Sequence, residues 1–335
     1  DRADQAEVLM RMAEVEQLIG NWDDADEILA RALVLAEEHG QRSLIPWCRL
    51  AVGELCRLQG RYEKATEWFD AAHEEFSNLE LPDGTAQVLH QRGTLAAQKG
   101  DYDSARRDYR ESLAIRRRLD DQDGVARLLN NMAIIALYEN DISVARKLHE
   151  EGLAIRRKLA DRAMIANSLN NLANVLLEED QTVEAQALLE EAIALQRQIG
   201  DRWGMANALN NLGNVGRAMH QYEWSETLYA ESLRIVRRLG DRWAMAYLLE
   251  DMGTVAALRG DHDRGFALVG AAQSLRVAIG APLPPADQEK LDTFLAPVRA
   301  SLNKAEVKQL QHMGAKLDLD EAVELALDPL TEPSD

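Results

Sequence analysis

The chain has 335 residues and a formal net charge of −19, with 46% hydrophobic and only 5% aromatic residues. This length allows two ordinary domains or one long repeat array, and it is sufficient to bury a large core. An acidic surface repels phosphate backbones, so the charge argues against direct nucleic-acid binding.

Cysteine usage and hydropathy indicate a cytoplasmic protein. Cys48 and Cys56 are the only cysteines, and they lie two turns apart on one predicted helix, too far for a disulfide. Both are interpreted as reduced packing residues. No apolar run approaches the length of a membrane span, and no signal peptide is visible. Because the chain begins at Asp1 with its first helix already under way, we expect a fragment of a longer protein.

Turn residues recur with a period of forty residues. Gly fits the left-handed position that follows a helix, and an Asp one residue later can cap the next helix. One series of turns is Gly20, Gly60, Gly100, Asn140, Asp180, His220 and Gly260. The second series, midway between them, is Gly40, Glu80, Asp120, Ala160, Gly200, Gly240 and Gly280. The predicted caps are Asp101, Asp121, Asp161, Asp201, Asp241 and Asp261.

This period predicts seven units of two helices each. The units are 1–40, 41–80, 81–120, 121–160, 161–200, 201–240 and 241–280. Within a unit, small residues such as Gly213 and Ser225 lie beside large ones such as Leu212. A small residue facing a large one favours an antiparallel helical hairpin, and such hairpins must stack to bury their apolar surface.

The turn and packing residues resemble the tetratricopeptide repeat (TPR). Leu212–Gly213, then Gln221–Tyr222, then Ser225 follow its pattern, as do Gly60-Arg61-Tyr62 with Ala65 and Gly100-Asp101-Tyr102 with Ala105. The usual repeat has thirty-four residues. The forty-residue form is similar to repeats of Pins-like scaffolds and bacterial regulators. The resemblance covers 1–280 and implies an all-α fold, a right-handed TPR solenoid of seven helical hairpins with a C-terminal helical cap.

The residues after 280 depart from the period. Ala281-Pro282-Leu283-Pro284-Pro285 breaks the helical pattern, and helices are predicted near 286–302, 304–313 and 320–327. Gly314 is interpreted as a stop signal between the last two helices. The region 281–328 is expected to form a helical capping subdomain over the apolar face of the final hairpin, and 329–335 a tail or linker.

The end of the chain resembles a second, more specific group. Gly270–Arg276, Ile279–Pro285 and Leu319–Leu327 are similar to the end of the C-terminal sensor module of bacterial signalling-NTPase regulators of the LuxR, AfsR and MalT type. The resemblance implies transcription regulation and signal transduction, with the chain tethered to an NTPase and/or DNA-binding domain. The chain itself contains no GxxxxGK[ST] phosphate loop.

Asparagines on two first helices are the strongest candidates for a binding surface. Asn is a poor helix former, so several on one helix need a reason. A carboxamide both donates and accepts hydrogen bonds, and a row of them can pair with the backbone of an extended peptide. The asparagines spaced three and four apart, which share one face, are Asn207, Asn210 and Asn214, and Asn167, Asn170 and Asn174.

The family resemblance implies that the first helices line a concave groove and that these asparagines lie inside it. The same helix face predicts further lining residues, which are His90, Thr94, Arg127, Asn130, Arg217, Tyr247 and Glu250, with Trp47 and Glu54 near the entrance. An alternative is that the asparagines bond one another or the next repeat. That alternative is preferred for Asn131, Asn171 and Asn211, which helix geometry turns about 100° away.

Other candidate motifs favour structural interpretations. Trp203 and Trp243 open successive first helices and are interpreted as inter-repeat packing residues. The seven histidines show no HxxxH or HExxH spacing, and there is no GxSxG motif. We therefore expect no metal, no cofactor and no catalysis.

The sequence favours a non-catalytic recognition domain. We expect the sensor and interaction part of a larger bacterial transcriptional regulator, which binds a protein, a peptide or a small-molecule effector in the groove. A free-standing TPR scaffold that docks extended peptides and a small-molecule sensor domain remain alternatives.

Overall fold

The computed structural model describes residues 2–328, and the segment 329–335, predicted as a tail or linker, lies outside them. The chain forms two compact units, Asp1–Leu159 (unit 1) and Ala160–Asp335 (unit 2). Within residues 2–328 the secondary structure is helical and contains no strand, which confirms the predicted all-α fold of successive TPR-type hairpins.

The described part of unit 1 contains eight helices that pack as four consecutive hairpins. Their second helices begin at Trp22, Tyr62, Tyr102 and Ile142, each forty residues after the one before. The bounds are α1 (Arg2–Leu18), α2 (Trp22–Glu38), α3 (Ile45–Leu58), α4 (Tyr62–Asn78), α5 (Pro82–Gln98), α6 (Tyr102–Arg118), α7 (Gln122–Tyr138) and α8 (Ile142–Leu159).

Unit 2 continues the same period and then leaves it. Three hairpins are followed by three further helices, of which α15 packs on α13, α16 on α14, and α17 on α12, α13 and α14. The bounds are α9 (Arg162–Glu178), α10 (Thr182–Ile199), α11 (Arg202–Ala218), α12 (Tyr222–Leu239), α13 (Arg242–Leu258), α14 (His262–Ile279), α15 (Pro285–Ser301), α16 (Lys304–Gly314) and α17 (Leu319–Leu327).

Each turn from α1 to α14, and the turn after α14, contains one residue in the left-handed backbone region. The φ angles lie between 50° at Glu80 and 95° at Gly260. Glycine occupies eight of these positions, and Glu80, Asp120, Asn140, Ala160, Asp180 and His220 occupy the others. A residue with a Cβ adopts this conformation at a cost of roughly 1–2 kcal/mol. Hairpin geometry therefore imposes the turn conformation even where glycine is missing.

The predicted aspartate caps are confirmed. Each side chain accepts a hydrogen bond from the backbone N–H three residues later, at 2.8 to 3.4 Å, which satisfies a donor that the first helical turn leaves unpaired. The six caps are Asp101, Asp121, Asp161, Asp201, Asp241 and Asp261.

An aromatic ring of the second helix packs against a glycine of the first helix in three hairpins. A Cβ on Gly53 would lie 2.6 Å from the ring of Phe69, and a Cβ on Gly213 would lie 2.4 Å from Tyr229. Glycine is therefore required for this close approach. In α8 the equivalent position holds His149, which is 3% exposed. Burial lowers the pKa of His149 to about 4.

α15 has an apolar side and a polar side. Leu291, Leu295 and Val298 of α15 are buried in one apolar cluster with Ala257 of α13 and with Phe266 and Val269 of α14. On the polar side, the Lys290 ammonium lies 2.7 Å from the Glu178 carboxylate of α9, and both side chains are exposed. The apolar side therefore anchors α15, because exposed ion pairs contribute little to stability.

α14 and α16 approach so closely that neither can carry a Cβ at the contact. A Cβ on Gly314 would lie 1.8 Å from the carbonyl oxygen of Ala267, and a Cβ on Gly270 would lie 2.0 Å from the carbonyl oxygen of Gln311. Gly314 ends α16, but it is absent from the residues with positive φ. The physical reason for Gly314 is thus close helix packing and not the left-handed stop predicted from the sequence.

α17 is held by a buried carboxylate and two arginines. Glu226 of α12 is fully buried and accepts hydrogen bonds from Arg259 and Arg264. Arg264 also donates to the carbonyl oxygens of Leu325 and Ala326 at 3.0 and 2.6 Å. These carbonyls belong to the last turn of α17, where no intrahelical donor remains for them. One guanidinium therefore satisfies a buried charge and a helix end together.

Candidate functional site

Side-chain amides link α9 to α11 in unit 2. The Asn211 amide nitrogen donates to Asn170 Oδ1 at 2.9 Å and to Asn207 Oδ1 at 3.1 Å, and the Asn170 nitrogen lies 3.4 Å from Asn207 Oδ1. We call the helix surface that carries these three residues the amide face. Asn211 thus has the structural role expected from the sequence. Asn170 and Asn207, predicted as groove residues, share that role.

A polar cluster continues the amide face at the end of α11. Arg217 donates to Asp251 Oδ1 at 2.7 Å and to Asn214 Oδ1 at 2.9 Å. Tyr229 donates to the same Asn214 oxygen at 2.7 Å, and burial raises the pKa of this phenol, which keeps it a donor. Asn210 donates to the second Asp251 oxygen at 3.2 Å. The predicted residues of this helix are therefore brought together and already hydrogen-bonded.

α15 lies against part of the predicted surface. The Arg217 guanidinium carbon is 4.5 Å from the centroid of the Phe294 ring, and the Tyr247 hydroxyl donates to Asp287 at 3.3 Å. Such a cation–π contact contributes about 0.5–2 kcal/mol, depending on its exposure. The contact between Arg217 and Phe294 could not be predicted from the sequence period, because Phe294 belongs to a helix outside the repeats.

Glu250 is buried in an ion pair and is not an open groove residue as predicted. Arg276 donates to both of its carboxylate oxygens, at 2.8 and 2.7 Å, and the Tyr247 ring covers the guanidinium at 4.0 Å. Burial raises the pKa of the Glu250 carboxyl, and the bonds from Arg276 offset part of this effect. A cleft of about 360 Å³ adjoins the pair and is lined by Glu250, Gln273, Arg276, Val277, Gly280, Pro282, Leu283 and Gln288.

Two of the predicted asparagines remain on the open surface. Asn167 and Asn174 of α9 are exposed, whereas Asn170, Asn207, Asn210 and Asn214 are half-buried. In an α-helix, residues three or four apart are neighbours on one face. The exposed amides of Asn167 and Asn174 therefore lie on either side of Asn170, which is itself hydrogen-bonded to the other residues of the amide face.

Unit 1 contains the remaining predicted residues, which form a second polar surface. The Asn131 amide nitrogen lies 2.8 Å from His90 Nε2, and the His90 ring packs edge-on against Tyr109 at 5.8 Å. Thr94 Oγ1 lies 3.0 Å from the Tyr109 hydroxyl. Burial and nearby arginines lower the pKa of His90 to about 4, so the ring is neutral near pH 7.

Two glutamines beside this histidine were missed by the sequence interpretation. Gln87 and Gln91 hydrogen-bond to Glu54, and burial raises the pKa of the Glu54 carboxyl to about 7. The available signal was spacing, because Gln87 lies three residues before His90 and Gln91 three residues before Thr94. Glu54 and its amide partners belong to the same polar surface of α3, α5 and α7.

Three other predicted lining residues differ in environment. Arg127 is exposed and pairs with Asp123 of its own helix at 3.0 Å, and Asn130 is half-buried. Trp47, expected near a groove entrance, packs edge-on against Phe76 at 4.9 Å within the core of unit 1. A large aromatic ring gains more by this burial than by facing water, so Trp47 is a packing residue.

Trp203 and Trp243 fit the inter-repeat packing interpretation only in part. The Trp203 indole N–H donates to Asp241 of the next repeat at 3.1 Å. The two side chains are nevertheless 54% and 53% exposed.

Within the described residues, no group of three or more His, Cys, Asp or Glu side chains is arranged to hold a metal ion. Nor does this part of the chain contain a helix that is both long and apolar enough to cross a bilayer.

Comparison with known proteins identifies the family. A family model described as tetratricopeptide repeat matches residues 4–74, 84–158 and 164–223, which is more than half of the chain. The chain belongs to the tetratricopeptide repeat family. TPR domains generally bind proteins or peptides, and TPR proteins are generally non-catalytic scaffolds. No curated protein matches the chain.

Solved structures share the TPR fold at low sequence identity. RapI in its apo form gives a TM-score of 0.66 at 14% identity, covering 85% of this chain and 99% of RapI. A STAND protein (Signal Transduction ATPase with Numerous Domains) with a TPR sensor, from Pyrococcus horikoshii, gives 0.60 at 14% identity. That match covers 92% of this chain and 50% of the STAND protein. BtubC from P. vanneervenii gives 0.56 at 19% identity, covering 72% and 93%.

Proposed function

We propose that the chain is the sensor and interaction part of a larger bacterial transcriptional regulator and binds an extended peptide along the amide face. The observation that carries this proposal is the arrangement of α9. Asn167 and Asn174 are exposed, and Asn170 between them is fixed by Asn207 and Asn211. Because Asn170 is already held in place, it loses little conformational entropy when a ligand binds beside it.

A peptide backbone suits these groups chemically. Each exposed carboxamide offers one acceptor and two donors, matching the C=O and N–H groups of an extended chain. Each such bond contributes roughly 0.5–1.5 kcal/mol net, so two amides change affinity by about tenfold or more. α15 limits the surface at the Arg217 end, since Phe294 covers that guanidinium. The peptide would therefore lie on the α9 side.

The test is selection of binding peptides from a random twelve-residue phage library, followed by anisotropy titration of the selected peptides. We expect Asn167→Ala with Asn174→Ala to weaken binding at least tenfold without changing the melting temperature. Asn211→Ala, on the first helix of the next repeat, is the comparison variant, because it should lower the melting temperature by disconnecting the amides. If the double variant binds as tightly as the wild type, the amide face is not the binding site.

Membership of a larger regulator is supported by the chain's terminal motifs and by the fold shared with the STAND protein, whose TPR part is a sensor. The full-length gene tests this part of the proposal. An upstream phosphate-binding loop or a downstream helix-turn-helix would support it. The absence of both would favour a free-standing peptide-docking scaffold.

The cleft beside Glu250 and Arg276 supports a second candidate function, the binding of a small-molecule effector. Its volume of about 360 Å³ lies within the range of ligand pockets, and it combines buried charges with the apolar side chains of Pro282 and Leu283. Mass spectrometry of small molecules retained by the purified protein would test this candidate. Loss of a retained compound in Leu283→Ala would localise it to the cleft.

A further inference from the structure

Two tryptophans of unit 2 are exposed at equivalent places one repeat apart. Trp203 and Trp243 are 54% and 53% exposed, beside Ile199 at 40% and Leu239 at 45%. Tryptophan is strongly buried on average, and exposed apolar side chains that cluster mark interaction surfaces. The corresponding positions in the two preceding repeats are Asp123 and Ala163, so the repeat does not need an aromatic residue there.

Both indoles are held in place by neighbouring groups. Trp203 donates its N–H to Asp241 at 3.1 Å, and the other oxygen of that carboxylate accepts the N-cap bond from Ala244 at 2.9 Å. The Trp243 ring lies 4.5 Å from the Tyr247 ring. An aromatic surface that is fixed in advance loses little entropy on binding.

The exposed charges within the two turns that carry the indoles are mostly positive, unlike those of the chain as a whole, and Arg237 of the second turn pairs with Asp320 of α17 at 2.7 Å. Arg197, Arg202, Arg238 and Arg242 are exposed, whereas the only acidic residues in these two turns, Asp201 and Asp241, already accept backbone cap bonds. We call this surface the Trp–Arg edge. It comprises Arg197, Ile199, Arg202, Trp203, Arg238, Leu239, Arg242 and Trp243. Trp and Arg are the residues most enriched among those that dominate binding energy at protein interfaces.

We propose that the Trp–Arg edge docks a segment of a partner protein that combines Asp or Glu with apolar side chains. The indoles and the neighbouring Ile and Leu receive the apolar side chains, and the guanidiniums pair with the carboxylates. Single-stranded nucleic acid also pairs with arginine and stacks on tryptophan. The net charge of −19 opposes a ligand with one charge per nucleotide more strongly than a peptide with spaced carboxylates. This surface lies at the turns between repeats and goes beyond the peptide-binding function proposed for the amide face.

The test uses the full chain and three labelled probes in anisotropy titrations. They are a twelve-residue peptide pool drawn from Asp, Glu, Leu and Phe, a pool drawn from Lys, Arg, Leu and Phe, and a dT12 oligonucleotide. We expect the acidic pool to bind at least tenfold more tightly than the other two. Trp203→Ala with Trp243→Ala should lose at least tenfold, and Arg202→Glu with Arg242→Glu should lose a similar factor.

The matched control is Tyr138→Ala, which removes an aromatic side chain that is 70% exposed in unit 1 and should leave binding unchanged. Circular dichroism checks that each variant is folded. If the double alanine variant is unstable, the Arg202→Glu and Arg242→Glu variant still tests the proposal, because it keeps both indoles. The proposal would be overturned if the acidic pool did not bind, if either double variant bound it as tightly as the wild type, or if the chain preferred the basic pool or dT12.

Discussion

Protonation of His149 is expected to destabilise unit 1 in mild acid. Burial lowers the pKa of this imidazole to about 4, while the unfolded chain keeps the ordinary value of about 6.5. Between these values the unfolded state binds a proton that the folded state does not. The stability is therefore fully present above pH 6.5 and declines as the pH falls toward 4.

The expected magnitude follows from the difference in pKa. A pKa lowered from about 6.5 to about 4 corresponds to about 3 kcal/mol once the pH is below both values. Between pH 7 and pH 4.5 the loss is about 2 kcal/mol, because titration of the folded state is then incomplete. We expect His149→Leu to remove this loss. Leucine suits the position, since Leu189 is 1% exposed at the equivalent place in α10.

The measurement is urea unfolding followed by circular dichroism between pH 4.5 and pH 7.5. The free energy of unfolding of His149→Leu minus that of the wild type should rise by about 2 kcal/mol from pH 7 to pH 4.5. His90, whose pKa is also lowered to about 4, is present in both proteins and cancels in the difference. His39→Leu, at an exposed site, is the control and should show no such rise. Parallel pH curves for His149→Leu and the wild type would refute the reasoning.

Three further predictions test the turns and the charges. Ala160 and Gly200 both have a positive φ, so Ala160→Gly should stabilise the chain by about 1 kcal/mol and Gly200→Ala should destabilise it by about the same amount. Thermal unfolding measures both effects, and melting temperatures equal to that of the wild type would contradict this. Arg276→Met should cost about 3–5 kcal/mol because it leaves the Glu250 carboxylate buried and unpaired, and adding Glu250→Met should restore most of the loss. Lys290→Ala should change the unfolding free energy by less than about 1 kcal/mol, because its ion pair is exposed; a larger loss would show that this pair fixes α15.

The features that could be predicted from the sequence are those set within one period. A turn needs a residue in the left-handed backbone region, and a cap needs an aspartate three residues before the backbone N–H that it accepts. Both requirements recur at fixed intervals in the sequence, so both could be predicted from it. The asparagine face was visible for the same reason, because helical periodicity determines which residues are neighbours. These local rules were sufficient for the hairpins and for the aspartate caps.

The unpredicted features depend on contacts between elements with no fixed spacing. Glu250 was predicted to line the groove from its position on the helix face. Its ion-pair partner Arg276 lies on the following helix, and the repeat spacing does not reveal that contact. Arg217 is covered by Phe294, which belongs to a helix outside the repeat pattern. Gly314 was assigned to a helix stop because a sequence does not distinguish a glycine required by φ from one required by a close neighbour. In each case tertiary packing decided the outcome.

The common left-handed turn has a consequence for how this array can change in length. Since the helices from α2 to α14 begin and end at turns with the same backbone conformation, whichever residue occupies the turn, two cut points forty residues apart within the repeats have matching turn geometry. Excising or duplicating a block such as 81–120 would therefore join chain ends that already point in compatible directions. Chains of this kind can gain or lose whole repeats by recombination, and each event would shorten or extend the set of first-helix side chains available to a partner by one step.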